Sequence, residues 1–137
     1  MKFIPPKIHG YLDYAVILVL ILAPSLFRFV SEASVVTYTL AFLYLALVLA
    51  TAYPLGVFKL IPFTVHGMIE LILSPLLIAM PWIAGFKYDP ASRYFFVIAG
   101  VALFLVWLTT DYKAADLVYR RKGMDLGGTE RMRGAGA

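Results

Sequence analysis

An apolar segment of membrane-spanning length that occurs twice constrains this chain more than any other feature. Val65–Phe86 reads VHGMIELILSPLLIAMPWIAGF, and Ile8–Phe29 reads IHGYLDYAVILVLILAPSLFRF. In register, His9 meets His66, Gly10 meets Gly67 and Asp13 meets Glu70, while Leu20, Ile21, Pro24 and Phe29 meet Leu77, Ile78, Pro81 and Phe86. Both histidines of the chain fall inside this pattern. Greasiness alone does not place a His-Gly pair, an acid four residues after the histidine and a proline at matching positions. The chain therefore reads as an internal duplication.

What surrounds the repeat fits a bilayer better than water. Of 137 residues 62% are hydrophobic, against about half in an ordinary soluble domain, and only 15% are charged. The charges gather at a few places instead of alternating along helix faces, which leaves no soluble catalytic domain beside the spans. The absence of cysteine excludes disulfides, thiolate metal sites and cysteine nucleophiles. A net charge of +4 sits at the segment edges, where anionic lipid is its natural partner, and nucleic acid is not expected.

Four apolar runs, Ile8–Phe29, Val35–Tyr53, Phe63–Phe86 and Tyr94–Thr110, approach or exceed the ~20 residues that cross a bilayer as a helix. Short connections make consecutive helices antiparallel neighbours. The expected fold is all-α: a four-helix transmembrane bundle of two tandem, parallel-repeat hairpins. The four-span domain covers residues 1–113, with repeats at about 8–58 and 65–112, and residues 114–137 form a basic cytoplasmic extension and mobile tail. Lys2, Lys7, Lys59, Lys113, Arg120, Arg121 and Lys122 fall on one side, and Arg28, Lys87 and Arg93 on the other. The first side, carrying both termini, is expected to be cytoplasmic. Each repeat holds an even number of spans, so a pseudo-two-fold axis along the membrane normal puts both histidines at that side.

Two helices per repeat, with a proline-centred tripeptide near the end of the first, resemble the SPW-repeat family of small bacterial integral membrane proteins. The tripeptides here are Met80-Pro81-Trp82 and Ala23-Pro24-Ser25, so only the proline is common to both. The resemblance implies the two-hairpin architecture and the bacterial plasma membrane, and no chemistry.

Chemistry, if present, belongs to His9, Asp13, His66 and Glu70. A spacing of four puts each histidine beside its acid on one helix face. Two imidazoles and two carboxylates can hold a divalent metal such as zinc or iron, and two neutral imidazoles can hold a haem axially. Taken separately, each His–acid pair reads as a local anchor near headgroup level, and sequence does not decide whether the pairs meet. The middles of the four runs carry no Asp, Glu, Lys, Arg or His, which argues against an ion carrier. Tyr44 and Ser74 read as ordinary helix–helix glue. Tyr53, Phe86 and Tyr112 fall among the aromatics of two interfacial belts. The expected role is non-catalytic, with no catalytic residue assigned: a scaffold or accessory subunit packing with its own copies or with a larger membrane complex. The alternative is a haem- or metal-binding redox or sensor protein that uses the repeated pairs.

Overall fold

Proline at the first helical position starts α1 (Pro6–Leu26) and α4 (Pro90–Thr109), where the N–H it lacks would have had no partner. The computed structural model describes residues 2–122, with α2 at Ser31–Ala50, α3 at Phe63–Ile83 and a fifth helix, α5, over residues 112–122. Helices α1 to α4 are each long and apolar enough to cross a membrane. They pack as an all-α bundle of two tandem hairpins, α1 against α2 and α3 against α4.

The helices sit a few residues earlier than the apolar runs suggest. Helix α1 ends in a left-handed turn: Phe27 N–H bonds Ala23 C=O, Arg28 has φ 54° and Phe29 N–H returns to Pro24 C=O at 3.0 Å. In α3 the same place in the repeat is Gly85, at φ 84°. The terminal aromatics Phe29 and Phe86 thus lie just past the helix ends and pack into the core instead of extending their helices. Helix α4 starts at Pro90, not near Tyr94, because Asp89 caps it by accepting the Ser92 N–H at 3.2 Å. Helix α2 likewise starts at Ser31.

The duplication is visible in how the repeats close on each other. After α2, β1 (Thr51–Ala52) runs parallel to β2 (Ile61–Pro62), the segment entering α3. After α4, Thr110 pairs in parallel with Ile4, in the segment entering α1. Chain leaving one hairpin therefore clasps chain entering the other, at the end of the bundle where α1 and α3 begin.

Helix α5 covers that end. Its Tyr112 and Ala115 are buried, and its Asp116 caps α3 by accepting from Phe63 N–H (2.8 Å), Thr64 N–H (3.2 Å) and the Thr64 hydroxyl (2.7 Å). The expected boundary after residue 113 falls inside this packed helix. Residues 114–122 return onto the bundle because the first N–H groups of α3 need an acceptor. The expected mobile tail, from residue 123 onward, lies outside the described residues. Exposed Leu18, Phe42, Ile72 and Ile98 give α1 to α4 apolar outer faces, as a lipid solvent requires.

Candidate functional site

The two His–acid pairs meet. His9, Asp13, His66 and Glu70 each offer a donor atom, all within 4.8 Å of one another, and the four residues are between 0% and 2% exposed. This corrects the view of each pair as a separate anchor at headgroup level. The pseudo-two-fold turns the polar faces of α1 and α3 toward each other, and the clasped segments and α5 then exclude water. His9 Nε2 lies 3.2 Å from Asp13 Oδ1 on its own helix and 3.4 Å from Glu70 Oε1 on the other. His66 Nε2 lies 3.5 Å from Glu70 Oε1 and 3.8 Å from Asp13 Oδ2. Each imidazole addresses both carboxylates.

Two threonines, not singled out in the sequence, fix which nitrogen of each imidazole faces the acids. The hydroxyl of Thr51 donates to Leu47 C=O (2.6 Å), and that of Thr110 donates to Val106 C=O (2.7 Å). A hydroxyl has one proton, so each oxygen is left as an acceptor. Thr51 Oγ1 stands 2.9 Å from His66 Nδ1, and Thr110 Oγ1 stands 3.0 Å from His9 Nδ1. The proton therefore sits on Nδ1 in both rings, and a neutral imidazole presents its Nε2 lone pair to the carboxylates. The pinning crosses the repeats, each histidine being held from the other hairpin. Neither Nε2 makes a hydrogen bond among the described residues.

Three tyrosines hold the carboxylates. Tyr53 donates to Asp13 Oδ2 at 3.2 Å, and Tyr112 donates to Glu70 Oε2. Burial first, then the neighbouring carboxylate, pushes the phenols of Tyr53 and Tyr112 well above their ordinary value, so both stay protonated donors. They are buried parts of the site, not members of an interfacial belt. The His-Gly pairing has its reason here: a Cβ on Gly10 would come within 2.6 Å of the Tyr53 ring, and one on Gly67 within 2.7 Å of the Tyr112 ring. Only glycine lets each tyrosine cross its helix to reach the acid. Phe63, fully buried at the start of α3, closes the end with its ring 5.2 Å from that of His9 and 4.8 Å from that of Tyr112.

The third tyrosine breaks the symmetry. Tyr44 on α2 has its hydroxyl 2.8 Å from Asp13 Oδ1 and 2.7 Å from Glu70 Oε1, so it joins the two carboxylates and is more than helix–helix glue. Its single proton satisfies one of them at a time. At the matching position of α4 stands Leu103.

A repeated signal did mark the missed residues. Thr51-Ala52-Tyr53 and Thr110-Asp111-Tyr112 are a Thr-x-Tyr pair placed just after α2 and α4. The two copies are separated by two residues more than the histidines are, so the register that aligns the histidines hides them.

No family model, curated protein or solved structure matches this chain.

Proposed function

We propose that this is a multi-pass membrane protein that binds one divalent first-row transition metal ion between its two hairpins. The observation that carries the reading is the pair of buried Nε2 atoms that face two carboxylates and make no hydrogen bond among the described residues. A neutral Nε2 and a carboxylate repel unless a proton or a metal cation stands between them. Two buried carboxylates whose protein donors are neutral leave charge in a medium that stabilises it poorly, and a divalent ion neutralises it. A tetrahedral ion with bonds of about 2.0–2.1 Å sets its donors about 3.3–3.4 Å apart. The Nε2–carboxylate separations of 3.2, 3.4, 3.5 and 3.8 Å, the first and last to different oxygens of Asp13, lie near that spacing, within a donor set whose atoms are all within 4.8 Å of one another. Imidazole nitrogen with carboxylate oxygen and no sulfur suits zinc, iron or manganese.

Haem fits poorly. A porphyrin needs an empty plane between its axial imidazoles, and here Asp13 and Glu70 fill it. The balance of Lys and Arg supports an inner, cytoplasmic placement of the site with both termini on that side, and the resemblance noted from sequence supports a bacterial plasma membrane. The chain is taken as non-catalytic, and packing with its own copies or with other membrane subunits is compatible with an ion that locks the bundle.

The test is metal analysis of protein purified in detergent, with thermal unfolding in zinc and in chelator. One ion per chain and a melting temperature raised by zinc are expected for the wild type, and both are lost in Glu70→Gln. Absence of stoichiometric metal, with equal melting in zinc and chelator, would overturn the reading in favour of a cluster neutralised by protons on the histidines.

A further inference from the structure

The pseudo-two-fold relates α2 to α4, and Tyr44 to Leu103. On the α2 side a phenol joins Asp13 to Glu70. On the α4 side the corresponding side chain has no hydroxyl. There the bundle opens into a cleft of about 520 Å³ between α1 and α4, and Asp13, Tyr44, Glu70 and Leu103 all line it. Apart from Tyr94 near the start of α4, its remaining walls are apolar, with Val16 and Leu20 from α1 and Ala99, Ala102 and Val106 from α4. The volume lies within the range of small-molecule pockets, and the polar groups are few, with Asp13, Glu70 and Tyr44 joined by hydrogen bonds.

We infer that the α1–α4 cleft binds a membrane-soluble phenol, hydroquinones included, whose hydroxyl takes the place of the tyrosine that α4 lacks. The apolar walls select a hydrocarbon body. Beside the donors that Tyr53 gives Asp13 and Tyr112 gives Glu70, the one proton of Tyr44 is shared between Asp13 Oδ1 and Glu70 Oε1, so these two oxygens select a head that brings a proton. A ligand offering only acceptors, such as an ester or an ether, meets oxygen with oxygen. A lipid tail without a head group fills the walls and leaves this end unused. The inference shares the carboxylates with the metal reading but does not require the ion, since the ligand donates to carboxylate oxygen.

The experiment is titration calorimetry of the full chain in detergent with 4-dodecylphenol and with dodecylbenzene, which has the same tail and no hydroxyl. Saturable one-to-one binding of the phenol is expected, with dodecylbenzene weaker by about tenfold or more, the worth of a hydrogen bond to a charged group. Leu103→Tyr restores the symmetric hydroxyl in the protein and is expected to abolish phenol binding while one zinc per chain is retained. Ala99→Phe, which narrows the cleft away from the carboxylates, is expected to weaken phenol binding and keeps the test open if Leu103→Tyr does not fold. Equal binding of the two ligands, or phenol binding untouched in a folded cleft variant, would overturn the inference. Zinc stoichiometry is read separately, so loss of metal binding with phenol selectivity intact would remove only the metal reading.

Discussion

At the scale of single residues, two threonine hydroxyls determine what the histidines can do. Each donates to the carbonyl one turn back and accepts from an imidazole Nδ1, leaving Nε2 as the atom that faces the acids. Valine matches threonine in shape and cannot accept that bond. Thr110→Val is expected to weaken zinc binding by about 10–100-fold, as loss of a partner behind a metal-bound histidine does, while Thr110→Ser keeps most of it. Competition with a zinc chelator of known affinity reads the difference; equal affinities would mean that the threonine does not orient the ring. The histidines and acids were legible in the sequence because they recur in one register and their residue types are rare in apolar helices. Tyr53, Tyr112 and the threonines were not, because their copies follow a longer spacing and such residues are common at the ends of membrane helices. Tyr44 has no copy at all.

At the scale of elements, α5 is fastened to the site and not appended to it. Tyr112 at its start holds Glu70, and Asp116 one turn on caps α3, the helix that carries His66 and Glu70. Asp116→Ala removes the acceptor for two backbone N–H groups and one hydroxyl. It is expected to cost about 1–2 kcal/mol in thermal or denaturant unfolding, with Asp116→Asn costing less. An unchanged midpoint would show that α5 packs without holding α3. The four long helices were legible from the length of their apolar runs. Their ends were not, because a left-handed turn after α1 and α3 and the Asp89 cap of α4 depend on local backbone geometry that hydropathy does not register. The return of α5 was hidden for a related reason: its basic residues pointed to an interface, and the acid that docks it is one charge among them.

At the scale of the whole molecule, the two hairpins meet at one end through the clasped segments and the four-residue cluster. Toward the α1–α4 side they part around a cleft. An ion at the cluster would tie four side chains from both halves, and the halves should then lose it together. In a double-mutant cycle on the zinc-dependent rise in melting temperature, His9→Gln and His66→Gln are each expected to abolish the rise, and the double variant is expected to add nothing further. Independent anchors would instead give separate losses that sum. The duplication made the architecture legible, whereas convergence of the pairs had to be seen in three dimensions, since a pseudo-two-fold can hold matching faces apart as readily as together. The central claim is most directly tested by zinc-edge X-ray absorption on the zinc-loaded protein in detergent. The account predicts four nitrogen or oxygen donors at about 2.0–2.1 Å, two of them imidazoles, with no such shell formed in either histidine variant. A shell containing no imidazole, or one unchanged in both variants, would contradict it.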